Sequence, residues 1–276
     1  MNKNIETLKE ACNREGIAYQ DYHASGNLFS VEIGNKKHIF ANWTTPVTTQ
    51  SIRLLCADKD YFYSVFKDVI KMPNTRAFFN PYSDEKYTKY LAEKTIYEII
   101  DVVEAEFVYP LIIKKNKGSW GSNVFKVNNR HELERGILTV YDARSSKFDF
   151  VCLAQEYIEI DAEFRIVYLD GEYQFGYEKI TEGATFTDNL SPLHWEGSRA
   201  ALVRDSAMID RIETFCAPLF EFLMIPYCGL DIALDKQGEF WLIEANSSPG
   251  FDHIIRHEGI EPVVAMYRNL LALLKE

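Results

Sequence analysis

The chain has 276 residues, of which 47% are hydrophobic, and its formal net charge is −11 at pH 7. This length allows two or three subdomains around a shared cleft, with a sizeable buried core. The negative charge excludes a protein that wraps nucleic acid through many Lys and Arg contacts, although a few lysines in a cleft could still bind a nucleotide.

Composition also indicates where the protein is located and whether its cysteines are reduced. The sequence has no long uncharged apolar run and no apolar signal-peptide stretch at its start, so we expect a cytoplasmic protein with no membrane partner. The five cysteines are scattered without a metal-type spacing, which predicts buried reduced thiols. Association of identical chains into a homo-oligomer is left open.

The first part of the chain is predicted to be a short α/β segment. Residues 4–15 can form a helix, and residues 28–33 and 37–41 flank Gly34-Asn35 as a β-hairpin. This segment carries no motif that we can assign to a function.

A second helix is predicted to begin at Asp58. Asp58 suits the N-cap position, Lys59 lies in the first turn, and Pro73 stops the helix after about Ile70. Lys59 by itself could be an ordinary solvated lysine. Residues 83–104 then carry apolar positions at helical spacing, in one long helix or two broken ones.

Residues 107–127 predict a strand, a loop of small residues and a second strand. Lys114 ends the first strand, and Gly118 and Ser119 open the loop. A fixed positive charge that faces the free backbone N–H groups of such a loop can cradle phosphates. A simple hairpin turn with surface lysines is the alternative.

An acidic strand follows a helix that Asn129 is predicted to cap. A strand over residues 148–154 leads into Gln155-Glu156-Tyr157-Ile158, and Glu163 and Arg165 then repeat on one strand face. An exposed edge strand would also explain the acidic run.

A long polar connection comes next. Residues 173–180 predict a strand that ends near Lys179, and residues 181–197 are a connection of the kind that tends to be functional or mobile. Residues 209–222 and 261–274 are predicted helices.

Between those helices, residues 229–234 and 239–245 predict a β-hairpin with polar residues where a core strand should have none. Asp231 lies in the first strand, and Glu244 and Asn246 share a face of the second. Hairpin pairing could bring Asp231 onto that face, and three oxygen ligands would suit Mg²⁺. Taken one at a time, each could be an ordinary solvated side chain or turn residue.

Together these stretches resemble the ATP-grasp carboxylate–amine ligases, the superfamily of D-alanine–D-alanine ligase, glutathione synthetase and the RimK-type ligases. The similar stretches are Asp58-Lys59, Pro110-Leu-Ile-Ile-Lys114 with its loop, Gln155-Glu-Tyr-Ile158, and Leu230-Asp-Ile232 followed by Leu242-Ile-Glu-Ala-Asn-Ser-Ser-Pro-Gly250. Asn-Ser-Ser-Pro-Gly most resembles the RimK-like branch. The motifs occur in family order over roughly residues 58–260.

The resemblance implies an α+β ATP-grasp fold, in which two α+β subdomains clamp ATP behind a short N-terminal α/β segment. The expected divisions are residues 1–57 for that segment, 58–155 for the lid-bearing subdomain and 156–276 for the core subdomain with the Mg²⁺ site.

The resemblance also implies site residues. The ATP contacts would be Lys59, Lys114, Gly118, Ser119, Gln155, Glu156, Tyr157, Ile158 and Glu163. The metal ligands would be Asp231, Glu244 and Asn246, and the catalytic residues Arg165, Lys179, Asn189 and Arg199. Substrate contacts are expected at Ser248, His253 and Arg256, although the last two could equally be surface residues of a helix.

The implied activity joins a carboxylate to an amine, through an acyl phosphate, with release of ADP and phosphate. The implied cofactors are ATP and two Mg²⁺ ions, which Mn²⁺ could replace, and the substrates would be amino acids or peptides. D-Alanine–D-alanine ligases have an arginine two positions before the first metal aspartate, and Gly229 stands there in this chain. A non-ligating regulatory ATP-binding domain and an ATP-grasp kinase are the alternatives.

Overall fold

The computed structural model describes residues 1–118 and 121–275. Its α-helices in these residues are, in chain order, α1 (Lys3–Arg14), α2 (Gln50–Ala57), α3 (Lys59–Phe66), α4 (Ile96–Glu106), α5 (Arg130–Val140), α6 (Ser206–Phe222), α7 (Asp252–Glu258) and α8 (Glu261–Leu273). The strands in these residues are β1 (Tyr19–Asp21), β2 (Leu28–Ile33), β3 (Lys36–Ala41), β4 (Thr75–Phe79), β5 (Leu111–Lys115), β6 (Val124–Val127), β7 (Val151–Glu156), β8 (Ile160–Leu169), β9 (Glu172–Ile180), β10 (Arg199–Leu202), β11 (Tyr227–Asp235) and β12 (Phe240–Asn246). Short 3-10 helices cover Glu85–Tyr90 and Pro192–His194.

The N-terminal segment consists of α1 and the antiparallel strands β1, β2 and β3. The predicted hairpin is confirmed, because β2 and β3 pair around Gly34 and Asn35. Both turn residues have positive φ, 58° and 64°, which a two-residue hairpin turn of this hand requires. Apolar residues of α1 and the hairpin, including Leu8, Phe29 and Phe40, share a buried cluster with α8.

A second sheet has the strand order β4-β7-β5-β6 and is antiparallel throughout its described pairs. Helices α4 and α5 contribute Ile99, Val103 and Ile137 to its buried core. The helical pattern over residues 83–104 belongs to a 3-10 turn and then to α4. Asn129 caps α5 as predicted, accepting a 3.0 Å hydrogen bond from Glu132 N.

The third sheet has the order β10-β9-β8-β11-β12 and positions the candidate site. Side chains alternate between its faces, so Ile166 and Ile232 pack beneath α2, α3 and α6, whereas Val167 and Tyr177 pack against the N-terminal segment and α8. The remaining part of this second face carries polar side chains.

All five cysteines are buried and free, which confirms the prediction made from their spacing. None of the helices in residues 1–118 and 121–275 combines the length and the apolar surface that a membrane crossing needs.

Candidate active site

The central sheet carries a row of charged side chains on one face. The strand register pairs Asp231 with Arg165 on β8 and with Glu244 on β12. Because cross-strand partners share a face, the three side chains lie side by side. The shared face expected for Asp231 and Glu244 is therefore confirmed.

Two cations hold Asp231 in this row. Arg165 Nε and Nη2 each donate a 2.7 Å hydrogen bond to Asp231, one to each carboxylate oxygen. Lys179 Nζ lies 3.2 Å from Asp231 Oδ2 and also contacts Glu163. Only 4% of the Lys179 side chain and 6% of the Asp231 side chain are exposed, so water screens these ion pairs little.

Burial and ion pairing compete in setting the charges of this cluster. Burial alone would raise the pKa of Asp231, but Arg165 and Lys179 lower it to about 2. Burial likewise opposes the charge of Lys179, yet Asp231 and Glu163 raise its pKa. Burial raises the pKa of Glu163, whose charge Lys179 partly stabilises. Asp231, Arg165 and Lys179 are therefore all charged at neutral pH.

A pair of lysines lies toward the four-stranded sheet. Lys114 on β5 is buried and donates a 2.8 Å hydrogen bond to Gln155 Oε1. Lys59, in the first turn of α3, donates a 2.9 Å hydrogen bond to Gly118 O, and its Nζ lies 3.4 Å from Glu244 Oε2. Both lysines line the same cavity as Gly118, which opens the loop of small residues that we call the glycine-rich loop.

Lys114 is the cation with the most depressed pKa at the site. Its pKa falls to about 7, because burial penalises the charged form and Lys59 repels it, while Glu244 offsets part of the effect. A buried lysine that is half neutral near pH 7 would gain free energy from an anion placed beside it.

Asn116 positions Lys59 and is a residue that the sequence analysis missed. Its Nδ2 donates a 2.8 Å hydrogen bond to Asp58 Oδ1, and its Oδ1 accepts a 2.9 Å hydrogen bond from Asp60 N. Asn116 thereby ties the end of β5 to the first turn of α3, which carries Lys59. Its partners lie far away in sequence, so no local pattern marks it.

These groups open into a cavity of approximately 1140 Å³. The predicted site residues that line it are Lys59, Lys114, Gly118, Gln155, Glu156, Tyr157, Ile158, Glu163, Arg165, Lys179, Asp231, Glu244, Asn246, Ser248 and His253. Lining residues that the sequence did not indicate include Trp43, Lys126, Phe186 and Trp195. Lys126 Nζ lies 3.8 Å from the ring centroid of Tyr157, a cation–π contact on the cavity wall.

Other predicted site residues are not among the lining residues that the structure describes. Asn189 lies in the 181–197 connection, where its side-chain oxygen approaches Gly121. The exposed Arg199 is the cross-strand partner of Ile180, whereas Ala200 is that of Lys179, so strand alternation directs Arg199 to the face opposite Lys179. Arg256 is exposed on α7, and Ser119 lies outside the described residues.

Gly229 has no room for a side chain. A Cβ added there would lie 2.9 Å from Pro249 Cβ and 3.5 Å from Arg165 Cδ. An arginine at this position could therefore not be accommodated, and Arg165 from the neighbouring strand fills the adjacent space.

The donor set fits Mg²⁺. Asp231, Glu244 and Asn246 offer two carboxylates and one amide oxygen, and Asn246 Nδ2 donates a 3.3 Å hydrogen bond to Glu244 Oε1. Arg165 and Lys179 occupy part of the acceptor capacity of Asp231, since an ionised carboxylate accepts about four hydrogen bonds. Mg²⁺ that also binds phosphate and water needs only one or two protein carboxylates, which Asp231 and Glu244 can supply.

Comparison with known proteins identifies the family. The RimK-like ATP-grasp domain matches residues 51–270. The coenzyme gamma-F420-2:alpha-L-glutamate ligase of Methanococcus maripaludis is 28% identical over 189 residues, covering 67% of this chain and 55% of that protein. D-alanine–D-alanine ligase B of Clostridium perfringens is 24% identical over 198 residues, covering 71% and 59%.

A solved structure shows the same fold. The VanG D-Ala:D-Ser ligase from Enterococcus faecalis superposes with a TM-score of 0.60 at 17% identity, over 83% of this chain and 64% of that one. The expected α+β ATP-grasp fold is confirmed. The chain spans a little over half the length of the curated relatives named here, at 55% and 59%. With most of its length matched by the domain, the chain belongs to the RimK-like ATP-grasp family.

Proposed function

We propose that the chain is an ATP- and Mg²⁺-dependent ligase that joins the carboxylate of one amino acid or peptide to the amine of another. The observation that carries this proposal is the row Arg165–Asp231–Glu244 facing the same cavity as Lys59 and Lys114. A carboxylate and a triphosphate repel each other, and a site that brings them together must supply positive charge from several directions.

The nucleotide would lie between the second and third sheets. Gln155 and Glu156 end β7, and Tyr157 and Ile158 begin the connection to β8. All four line the cavity, so we assign them to the adenine. Glu163, further along, is assigned to the ribose.

We assign the phosphates to the lysine pair and the loop. Lys59, Lys114 and Gly118 would bind phosphate oxygens, and the contact between Lys59 Nζ and Gly118 O already places cation and loop together. A contact between Ser119 and ATP remains a prediction.

We assign the metal to Asp231, Glu244 and Asn246. Bound Mg²⁺ would neutralise phosphate charge and hold the γ-phosphate near the acceptor carboxylate. Two Mg²⁺ ions are proposed, as the family resemblance implies, with Mn²⁺ as a substitute.

The protein's own groups suit both chemical steps. In the first, a carboxylate oxygen bonds to the γ-phosphorus while the bond to the bridging oxygen of ADP breaks. Lys179 and Arg165, held in place by Asp231, would stabilise the negative charge on the transferring group.

In the second step the amine nitrogen bonds to the acyl carbon, phosphate leaves and the nitrogen loses its proton. Ser248 and His253 line the cavity and are assigned to substrate contacts. Closure of the loop after Gly118 would keep water from the acyl phosphate. Roles for Asn189, Arg199 and Arg256 remain predictions.

We propose the domain limits 1–57, 58–155 and 156–276 as predicted. Cytoplasmic location and association into a homo-oligomer also remain predictions.

The test is ADP release with paired panels of carboxylates and amines, followed by mass spectrometry of the products. Amine-dependent ADP release with a new amide mass supports ligation. A phosphorylated product without an amide would identify a kinase, and ATP binding without turnover across the panels would identify a non-ligating domain.

A further inference from the structure

Two histidines lie on the wall of the cavity. His194 ends the short 3-10 helix in the connection between β9 and β10, and His253 lies in the first turn of α7. Their ring centroids are 6.2 Å apart, with the ring planes at 79° to each other. The assignments of the nucleotide and the metal use neither ring.

This histidine pair adjoins the charged row of the central sheet. Lys179 Nζ lies 3.2 Å from Asp231 Oδ2. Burial and then the positive charge of Lys179 lower the pKa of His194, so the lysine and this ring are neighbours. His253, which packs against the His194 ring, is therefore close to the groups assigned to the transferring phosphate.

The backbone around His253 is held in place. Phe251 and Ile254, on either side of it, are fully buried, and Asn4 Oδ1 accepts a 3.1 Å hydrogen bond from Phe251 N. His253 itself is half-buried. Its side chain therefore meets the cavity from a fixed position.

The ring nitrogens of His253 are available for proton transfer. His257, on the same helix, accepts a 3.0 Å hydrogen bond from Ala200 N at Nδ1. By contrast, no residue in the ranges 1–118 and 121–275 forms a hydrogen bond with a ring nitrogen of His253. A substrate in the cavity can take that place.

The surroundings of His253 favour its neutral form. Burial is the largest cause that lowers its pKa, and Arg256, His194 and His257 lower it further, whereas Asp252 opposes them. A neutral imidazole at pH 7 can accept a proton.

The other elements that pack against α7 direct their charges elsewhere. Arg204 Nη2 donates a 2.6 Å hydrogen bond to Glu258, at the far end of α7, and the charge of Arg199 on β10 also acts on Glu258. Helix α1 meets the start of α7 through the uncharged Asn4. The groups named in the preceding paragraph therefore set the charge of His253.

Amide formation from an ammonium group requires the nitrogen to lose two protons. The first leaves before the nitrogen lone pair can bond to the acyl carbon. The second leaves after that bond has formed, while the bond from the acyl carbon to the phosphate oxygen breaks and phosphate departs with the electron pair. The departing phosphate gains a negative charge and can take this second proton. Asp231 is a poor acceptor for the first proton, because its pKa is about 2, and Glu244 is assigned to the metal.

We propose that His253 is the general base of the second step and accepts the first proton from the ammonium group of the amine substrate. This assignment rests on the proposed ligase function. Arg256 disfavours the imidazolium that forms, so His253 returns the proton to water when the amide leaves.

The test compares two nucleophiles in the full chain with ATP and Mg²⁺. One is the most productive amine of the panels described above, and the other is hydroxylamine, which is largely unprotonated at pH 7 and forms a hydroxamate. His253→Ala should lower kcat for the amine by about 10²-fold at pH 7, but should change kcat for hydroxamate formation by less than about threefold. Raising the pH should narrow the deficit with the amine, because more of the amine is then unprotonated in solution.

Further variants separate proton transfer from mere contact. His253→Gln keeps a side chain that can hydrogen-bond but cannot take up a proton at pH 7, so it should be as slow with the amine as His253→Ala. Imidazole added to His253→Ala should restore part of the amide formation. His131→Ala is the matched control, because His131 is exposed on α5 and outside the cavity lining that the structure describes.

Two outcomes would overturn the proposal: an equal loss of amide and hydroxamate formation in His253→Ala, or a kcat near that of the wild type in His253→Gln. A raised KM for the amine with unchanged kcat would likewise limit His253 to binding. If the wild-type chain forms neither amide nor hydroxamate with any carboxylate of the panel, the ligase proposal itself is contradicted.

Discussion

Asp231 and Glu244 are direct cross-strand partners, and a different cation holds each of them. Arg165 donates two 2.7 Å hydrogen bonds to Asp231, whereas Lys59 Nζ lies 3.4 Å from Glu244 Oε2. Asp231 is buried, and 22% of the Glu244 side chain is exposed. Substitutions at the two carboxylates should therefore affect activity and stability in different proportions.

Glu244→Gln should abolish most turnover and leave the fold intact. The change removes a negative charge next to Asp231 but keeps the side-chain shape, and losing one charge-stabilising group typically lowers the rate by about 10²–10³. ADP release at saturating Mg²⁺ measures the effect, with circular dichroism to verify folding. Glu239→Gln is the matched control in the same hairpin, since 65% of the Glu239 side chain is exposed. Near-wild-type ADP release by Glu244→Gln would remove it from the proposed metal ligands.

Arg165→Met should destabilise the fold strongly. It leaves the Asp231 carboxylate buried with Lys179 as its remaining cation, and breaking a buried ion pair on one side typically lowers the free energy of unfolding by about 3–5 kcal/mol. Urea denaturation measures the loss.

The double variant Arg165→Met with Asp231→Asn should recover part of that stability, because no unpaired carboxylate remains. The two single changes would then be far from additive. If instead their effects on the free energy of unfolding add, the pair is not coupled as the 2.7 Å geometry indicates.

Lys114 should make ATP binding depend on pH. Its pKa of about 7 means that the free protein loses this charge as pH rises above 7, whereas a bound phosphate would favour the charged form. ATP binding at pH 8 should therefore take up about one proton, and affinity should fall between pH 7 and 9. Calorimetry in buffers of different ionisation enthalpy measures the uptake.

The Lys114→Met variant should bind ATP more weakly, and its binding of ATP should take up no proton at pH 8. Lys67→Met, at the exposed end of α3, should behave as wild type.

Lys114 should also make the stability of the free protein depend on pH. Its pKa is lowered from 10.5 in the unfolded chain to about 7 in the folded chain, so the unfolded chain binds one more proton between about pH 7 and 10.5. The contribution of Lys114 to the free energy of unfolding therefore rises with pH across that window.

Local sequence patterns were sufficient to predict the hairpin that carries the proposed metal ligands. Alternation put Glu244 and Asn246 on one face, and the turn between the strands made Asp231 their neighbour. The pairing of β8 with β11 could not be predicted in the same way, since it joins strands with β9, β10 and α6 between them. The contact between Arg165 and Asp231 depends on that register.

Residues whose position depends on tertiary packing escaped prediction. Trp43 comes from a segment without a motif, and it reaches the cavity only because α1 and the hairpin pack against α8. Arg199 was predicted to be a catalytic residue together with Lys179, but the register of β10 on β9 places the two side chains on opposite faces of the sheet. A shift of one residue in register moves a side chain to the other face of the sheet, and a single sequence does not determine that register.

Gly121→Ala should impair closure of the glycine-rich loop. A Cβ there would lie 2.0 Å from Asn189 Oδ1 and 3.0 Å from Ser191 Cβ, so the Asn189 side chain would have to move and give up the 2.8 Å hydrogen bond that it accepts from Ser191 N. Gly34→Ala is the matched control, because its φ of +58° is close to the +65° of Gly121 but nothing lies within 4 Å of an added Cβ. Both variants carry similar backbone strain, so only Gly121→Ala should lower kcat/KM. Equal activity in the two variants would show that this contact has no part in turnover.

Asn4→Ala should raise the KM for the substrate assigned to Ser248 and His253 without changing ATP affinity. Asn4 is buried in α1, where its Nδ2 donates a 2.8 Å hydrogen bond to Pro249 O and its Oδ1 accepts a 3.1 Å hydrogen bond from Phe251 N. Alanine would leave both backbone groups unpaired in a buried place, which typically costs about 1–3 kcal/mol for such a group and loosens Gly250. Asn13→Ala, at an exposed position of the same helix, is the control. A KM unchanged by Asn4→Ala, together with a lowered melting temperature, would limit Asn4 to a purely structural role.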